Sequence, residues 1–546
     1  MPDKPTVYSH HIFLFAFRWQ PKNPENALSE RLKTLTESLT KGNWKHAPLA
    51  NYGQSDSDES MRLYNELTYF YPFARSALYD LQGEENDVLC HYEYDLPGEE
   101  TRKYTITSKI PVKGTKDFVE KTYLLDIKNI NANFYSTGVG VLSFHLDNTD
   151  ENQKAPEDIL TINDKGRRLY PGFLFIDEKQ SNNKPNNGNV PSSISLEGFG
   201  KQIREDFSGF SNFQNFSLRG LQRFNIPSFI SKLFPDSFIS EFKIQPVLDD
   251  RMFVVSWFAN AEKVEEIQQD SSSANYAKSD FWYRYLFIDG PDGEDKGLSN
   301  DQFQEELLTA STYARWVGLG TLYGVSRYSF MALFNEPGFL TAHVETMYYK
   351  MAELSLMQRA SAISFSNRIA DFVHDQKGDK YLKDSLDQAR RLALDYLQFF
   401  NKVYFKEITA QEQGIEMYAM LHRQLEVQQA VEGVRNEVSD LHHYIQLKEE
   451  KQRNQAINFI AVAGILLALP AFFFSYFSFM KDREIFSKEP TGISWWVLGI
   501  LLLMMVLAYG AYHTFLKQTG WRRWVNGYTI PLLLLFFLLL IVPYFL

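Results

Sequence analysis

The chain contains 546 residues, which is more than one compact hydrophobic core can organise, so we expect at least two folded units. Its formal net charge of -11 at pH 7 argues against a protein held on nucleic acid by a broad basic surface, and we expect no direct nucleic-acid partner. Cys90 is the only cysteine, which excludes an internal disulfide.

Short strand patterns dominate the first 336 residues. The stretches HHIFLFAF, YTITSKI and FVVSWFA are rich in β-branched and aromatic residues and are bounded by polar residues. Two further strand-like pieces are separated by Gly138 and Gly140, which indicates a turn or a bulge there. We therefore predict an α+β domain over residues 1–336.

Three stretches of this domain combine arginine with tryptophan or tyrosine: DKGRRLYPGF, FWYRYLFIDG and TYARWVGLGTLYGVSRYSF. Guanidinium groups pair with phosphates, and aromatic rings stack on bases, so these stretches favour a site for a nucleotide-like ligand. The same residue types also build ordinary domain cores and interfaces. The candidate ligand-binding residues are Arg167, Arg168, Trp282, Arg284, Arg315, Trp316 and Arg327.

The periodicity becomes helical over residues 337–455. Two amphipathic stretches predict long helices, and a third helix is predicted from about Ile415 onward. Apolar residues at alternating steps of three and four form a heptad seam with one skipped position at Gln424, which predicts a stalk of helices packed side by side. An ordinary helix bundle explains the spacing equally well. The seam residues are Met420, Val427, Val431, Val434, Val438, Leu441 and Ile445.

Three long segments without Asp, Glu, Lys or Arg follow, at 456–480, 493–516 and 528–546. Helices of this length reach across a hydrocarbon core of roughly 30 Å, so we predict a transmembrane domain over 456–546, with lipid as a partner. Buried helices of a soluble protein are the alternative. Basic residues lie before the first segment and between the second and third, which predicts that the large N-terminal part lies in the cytoplasm and the C-terminus outside.

One side of the first segment is less uniformly apolar than the rest. It carries Asn458 near one end, Ser475 near the other, and bulky apolar residues between them, so repetition of this side around an oligomer would make a narrow apolar neck. Packing against the other two segments is the alternative. The candidate pore-lining and gate residues are Asn458, Ala461, Ile465, Leu469, Phe472, Ser475 and Phe479.

A long charged helix passing into NFIAVAGILLALPAFFFSYFSFM, then a second apolar segment and KQTGWRRW, resembles the CorA family of metal-ion channels. The resemblance implies a homo-oligomer in the bacterial inner membrane, a pentamer by the family pattern, whose first span lines the pore. It also introduces a divalent cation as a candidate cofactor. With the family proline placed on Pro470, its Gly-Met-Asn motif falls on Phe479, Met480 and Lys481, so only the methionine matches. This departure argues against selective Mg²⁺ uptake.

Together with the degenerate motif, the large N-terminal domain resembles that of the CRISPR-associated CorA-like proteins of type III systems. That resemblance implies an antiviral membrane effector whose pore is gated by a nucleotide second messenger, in particular a conjugate of S-adenosylmethionine and AMP. Two alternatives are a constitutive divalent-cation (Mg²⁺, Co²⁺ or Ni²⁺) transporter and a membrane-anchored receptor or enzyme without a pore.

Catalytic signatures are few. The sequence contains neither HExxH nor GxSxG, and Cys90 lies beside His91 only in the chain, which is no indication of a thiol-imidazole pair. We therefore expect a protein that is not an enzyme and that holds no structural metal.

Overall fold

A computed structural model describes residues 6–22, 28–49, 57–81, 88–96, 102–111, 117–171, 190–199, 203–207, 226–268, 275–291, 297–375 and 382–482. The chain divides into two compact units, Met1–Ser439 and Asp440–Leu546.

Within the described residues, thirteen strands join into one sheet. They are β1 (Ser9–Pro21), β2 (Trp44–His46), β3 (Leu89–Tyr94), β4 (Lys103–Pro111), β5 (Phe118–Tyr135), β6 (Val139–Asn148), β7 (Ser193–Glu197), β8 (Ile203–Asp206), β9 (Phe242–Pro246), β10 (Phe253–Ala259), β11 (Thr312–Tyr313), β12 (Thr321–Val325) and β13 (Ser329–Phe334).

The helices of the described residues surround and follow this sheet. They are α1 (Leu28–Leu39), α2 (Ser57–Tyr69), α3 (Pro72–Leu78), α4 (Pro156–Gly166), α5 (Ser228–Ser231), α6 (Asp236–Glu241), α7 (Ala261–Gln268), α8 (Asp280–Phe287), α9 (Asp301–Ser311), α10 (Phe339–His343), α11 (Tyr349–Asp375), α12 (Leu382–Lys402), α13 (Glu412–Gln424) and α14 (Val427–Asp482). A π-helical turn, Val344–Tyr348, joins α10 to α11.

The order of strands across the sheet is β11-β12-β13-β10-β1-β6-β5-β4-β7-β8. β2 pairs with β3, which pairs with β5, and β9 pairs with the end of β1. The ladders are antiparallel except between β10 and β13, which run parallel with Val254 opposite Ser329. The predicted turn between β5 and β6 lies at Gly138, whose φ of 83° suits glycine.

Alternation along β1 divides its side chains between the two faces of the sheet. Phe13, Phe15, Phe17 and Trp19 belong to the main aromatic core. Even-numbered His10 instead lies near His145 and Trp257, and α11 packs on β1 and β6. One face of the sheet is therefore apolar, whereas the other also buries polar groups.

The predicted third helix is not continuous. It is divided into α13 and α14 at Leu425 and Glu426, directly after the position skipped by the heptad pattern. Glu426 has a φ of 52°, which ends a right-handed helix at that residue. Val427, Val431, Val434 and Val438 are buried, so this part of the predicted seam does pack against protein.

The observed helices do not support the prediction of a three-span transmembrane region. Residues 456–480 form the later part of α14, and the described chain contains no helix that is both long and apolar enough to cross a membrane. The segments 493–516 and 528–546 lie outside the described residues. An uncharged run shows how much apolar surface a helix carries, but either lipid or protein can cover that surface. The transmembrane part of the predicted fold class, the ion-channel assignment and the inner-membrane localisation are wrong on this finding.

Candidate functional site: a pocket lined by three arginines

A pocket of about 330 Å³ lies in the first unit, and we name it the arginine pocket after the three guanidinium groups in its wall. Apolar side chains form the remainder of the wall, with one carboxylate and one phenol. Its lining residues are Leu14, Phe15, Ala16, Leu248, Asp249, Arg251, Phe253, Arg327, Tyr328, Leu356, Arg359 and Leu425.

Strand pairing brings two of these parts together. β10 and β13 are parallel neighbours, so the residues that precede them meet at the same edge of the sheet. The backbone N–H of Val254 donates to the carbonyl of Tyr328 at 3.0 Å, an ordinary hydrogen-bond distance. Arg251 and Tyr328 are thereby fixed side by side, while α11 contributes Arg359 and the end of α13 contributes Leu425.

The ring of Tyr328 is flanked by cations. The Cζ atom of Arg251 lies 4.6 Å from the ring centroid, and that of Arg167 lies 5.7 Å from it. Both distances fall within the range in which a guanidinium is attracted to an aromatic face. The pocket therefore offers an aromatic surface that is held in place by charge.

Two of the lining arginines have carboxylate partners. Arg251 pairs with Asp249 at 2.9 Å and with Asp250 at 3.2 Å. Burial lowers the pKa of Arg251, but these two carboxylates outweigh it and raise that pKa above its ordinary value. Burial and the adjacent Asp249 raise the pKa of the Asp250 carboxyl to about 6. Arg327 pairs with Glu426 at 2.6 Å across a half-exposed contact.

Arg359 is different, because no carboxylate lies within ion-pair distance of it among the residues that the structure describes, and Glu426 and Asp249 act on it only from farther away. It is half-buried, and burial together with the neighbouring positive charge of Arg327 lowers its pKa. Burial and a neighbouring like charge both destabilise the charged form of a guanidinium, and an anionic partner stabilises that form. Arg359 is thus the strongest candidate for contact with an anionic ligand.

Arg167 lies beside this pocket and is 1% exposed. Its Nη2 donates to the carbonyl of Ile288 at 3.5 Å, while its Nε and Nη1 have no hydrogen-bond acceptor among the described atoms. Burial and the charge of Arg168 lower its pKa to about 9. Arg167 and Arg251 thus place two guanidinium groups beside the ring of Tyr328.

The seven predicted ligand-binding residues do not form a single site. Arg327 lines the arginine pocket, and Arg167 lies next to it. Arg168 is buried and bonds Asp164 at 2.6 Å. Trp282 is fully buried and donates to Thr312.

The other three predicted residues also lie away from the pocket. Arg284 lies on α8 and donates to the carbonyl of Gly290, just after that helix, at 2.8 Å. Arg315 pairs with Glu412 and Glu416 of α13 at 2.8 and 2.9 Å. Trp316 is half-buried, and the guanidinium of Arg315 lies 5.9 Å from its ring.

All seven residues predicted to line a pore lie on α14. Asn458, Ala461 and Ser475 are exposed in the single chain. The side chains of Ile465, Leu469, Phe472 and Phe479 lie outside what the structure describes. The positions of these residues do not test whether they line a pore. The predicted pore required the transmembrane region, which is the part of the prediction corrected above.

Sequence reasoning missed four residues of the pocket: Asp249, Arg251, Tyr328 and Arg359. Asp249 and Arg251 belong to the polar run DDR directly before β10, which is a loop signal next to a buried strand. Arg359 interrupts an otherwise buried stretch of α11, and an isolated arginine on an apolar helix face was the signal available for it.

Neither a family model nor a curated protein matches the chain. The resemblance to CorA-like proteins, the pentamer and the divalent cation therefore stay predictions.

Proposed function

We propose that the unit Met1–Ser439 is a sensor domain that binds a small, anionic, nucleotide-derived ligand in the arginine pocket. The observation that carries this proposal is the half-buried Arg359, which faces a pocket with two other arginines and has no carboxylate partner in the described part of the chain. Charge-assisted bonds from arginine to phosphate are among the stronger polar contacts in proteins.

The pocket has the two surfaces that a nucleotide requires. Arg359 and Arg327 bind the phosphate, and the ring of Tyr328, with Phe253 and Leu14, accommodates the base. Its volume of about 330 Å³ is near the lower end of the range for small-molecule sites, roughly 300–1,000 Å³. A mononucleotide, or the nucleotide half of a larger conjugate, is the matching size.

Ligand binding has a direct route to the junction between α13 and α14. Arg327 holds Glu426, which is the left-handed residue of that junction, and Leu425 lines the pocket itself. A phosphate that takes Arg327 from Glu426 removes this contact. Such a ligand shifts the junction by as much as it binds the released arrangement more tightly.

A second messenger that contains AMP is the class of ligand that the sequence resemblance implies, and the conjugate of S-adenosylmethionine and AMP is the first compound to test. AMP alone and inorganic phosphate are the two simpler probes. They separate recognition of the whole conjugate from recognition of its nucleotide or its phosphate.

The experiment is isothermal titration of the full chain with the conjugate, AMP and phosphate, repeated for Arg359→Gln. A hydrogen bond to a charged group contributes about 1.5–3 kcal/mol, so we expect affinity for the best-binding nucleotide to fall by about 10-fold to 150-fold. Arg390→Gln is the matched control, because Arg390 is exposed on α12 and pairs with Asp387. It leaves the affinity unchanged.

Two results would contradict the proposal. One is the absence of binding for all three probes by the folded wild-type protein. The other is equal affinity in the wild type and in Arg359→Gln, which would place the nucleotide elsewhere.

A further inference from the structure

A second constellation lies away from the arginine pocket, in the part of the sheet formed by β2 and β3. His46 ends β2, Cys90 lies on β3, and Asp80 follows α3 by two residues. One potential ligand atom from each of these residues lies within 4.8 Å of the other two. We name these three residues the His46 cluster.

Backbone hydrogen bonds hold the parts of this cluster together. The N–H of Ala47 donates to the carbonyl of His91 at 3.0 Å, and the N–H of Leu49 donates to the carbonyl of Asp80 at 2.7 Å. The N–H of His91 donates to Oδ2 of Asp80 at 3.0 Å. Because the first two bonds join main-chain groups, the fold itself brings the segments that carry the imidazole, the carboxylate and the thiol to one place.

Exposure within the cluster suits an ion that enters from one side. The Asp80 side chain is 6% exposed, the His46 side chain is 31% exposed, and Cys90 is partly buried. The backbone donor from His91 also fixes the carboxylate orientation, which is the role that outer-shell hydrogen bonds have around metal ligands.

We propose that the His46 cluster is a binding site for Zn²⁺ or a transition-metal ion of similar preference, with His46, Asp80 and Cys90 as its three protein ligands. Imidazole, carboxylate and thiolate are all zinc ligands, whereas Mg²⁺ and Ca²⁺ select oxygen ligands alone. The cysteine therefore excludes the hard cations as the preferred occupants.

The present distances show what changes when the ion binds. Nε2 of His46 and Oδ2 of Asp80 are joined by a hydrogen bond of 2.7 Å. Zinc bonds of about 2.0–2.3 Å in tetrahedral geometry separate neighbouring ligand atoms by about 3.5 Å. The ion takes the place of the hydrogen between these two atoms, the two side chains move apart, and the neutral imidazole then carries its proton on Nδ1. The thiol loses its proton to solvent, so binding releases a proton and weakens at low pH.

Three protein ligands leave the fourth tetrahedral position for water or an added ligand. Asp80 also lines a second pocket, of about 290 Å³, together with His91, Glu93 and Lys350. The proposed ion therefore borders a cavity large enough for a small molecule.

The experiment is titration of the full chain with Co²⁺, followed by absorption spectroscopy. Thiolate bound to Co²⁺ gives a charge-transfer band in the near ultraviolet, and Cys90 is the only residue of the chain that can supply a thiolate. We expect this band to saturate at one equivalent of Co²⁺ and to disappear when Zn²⁺ is added. Absence of the band from the folded protein above neutral pH overturns the proposal.

Three variants test the ligand set. Cys90→Ser removes the band, and His46→Gln lowers Co²⁺ affinity by at least about 10-fold, the effect reported for weaker, outer-shell changes. His443→Gln is the matched control, because it makes the same substitution at an exposed position of α14 that is not part of the cluster. Circular dichroism confirms that each variant is folded. Unchanged affinity in folded His46→Gln would show that Cys90 binds the ion with other ligands, and the proposed set would be wrong.

Discussion

Arg167 and Arg168 are neighbours in the chain and are both buried, but their surroundings give them opposite roles in stability. Arg168 bonds the buried carboxylate of Asp164 at 2.6 Å, whereas Arg167 leaves two of its nitrogens without an acceptor in the described structure. Removing one partner of a buried pair leaves an uncompensated charge, while replacing a poorly satisfied cation by an apolar side chain is often neutral.

We therefore expect Arg168→Met to lower the free energy of unfolding by about 3 kcal/mol, and Arg167→Met to change it by less than about 1 kcal/mol. Urea unfolding of the two variants measures the difference. Each variant serves as the control for the other, since both lose the same charge and gain the same side chain. Equal losses would show that Arg167 has strong partners after all.

The junction between α13 and α14 is the element most directly linked to the arginine pocket. Glu426 combines two features there: a left-handed backbone with φ 52° and an ion pair with Arg327. An L-residue in that backbone region costs about 1 kcal/mol relative to glycine. The half-exposed ion pair contributes about as little as other surface pairs do, 0–1 kcal/mol.

Two substitutions separate these effects. Glu426→Ala and Glu426→Gly both remove the carboxylate, but only alanine keeps the Cβ, so we expect the glycine variant to be more stable by about 1 kcal/mol. Because both release Arg327, both also bind a phosphate ligand more tightly than the wild type does. Thermal unfolding and ligand titration measure the two effects. An alanine variant as stable as the glycine variant would show that the junction relaxes without strain.

The sequence predicted individual strands and helices better than it predicted the residues of the arginine pocket. HHIFLFAF, YTITSKI and FVVSWFA lie in β1, β4 and β10, because a strand's side-chain alternation is a local property. The skipped heptad position at Gln424 lies beside the α13–α14 junction, but the sequence predicted one helix there, because periodicity carries no information on φ at Glu426.

The arginine pocket could not be predicted in this way. Its charged residues come from a loop before β10, a turn before β13 and the middle of α11, and only the parallel pairing of β10 with β13 and the packing of α11 bring them together. The same holds for the His46 cluster. Cys90 was weighed against its chain neighbour His91, whereas the fold places it beside His46, 44 positions earlier in the chain.

At the scale of the whole molecule, buried histidines dominate the expected response to acid. Burial lowers the pKa of His11 to about 3 and the pKa values of His91 and His422 to about 4, and it places the pKa of His145 well below its ordinary value. In the unfolded chain all four take up protons near pH 6.5. Their contribution to stability is therefore present above pH 6.5 and is lost as the pH falls toward 4.

Asp250 acts in the opposite direction. Its folded pKa of about 6 lies above the unfolded value, so its contribution is present at low pH and is lost as the pH rises through 6. Burial also raises the pKa values of Glu66 and Glu93, so they act in the same direction as Asp250. Each titrating group contributes a slope of at most about 1.4 kcal/mol per pH unit, so four histidines outweigh these three carboxyls between pH 6.5 and 5. The net free energy of unfolding should fall as the medium is acidified over that interval.

Urea midpoints at pH 7, 6 and 5 measure this fall. His422→Phe is the informative variant, because phenylalanine keeps a ring in contact with Tyr404 and Tyr418 while it removes one titrating group. The slope in this variant should decrease by one histidine's share, about 1.4 kcal/mol per pH unit at most. His443→Gln, at an exposed position of α14, should leave the slope as it is. A midpoint independent of pH in the wild type would show that these histidines take up protons in the folded protein, and the prediction of lowered pKa values would be wrong.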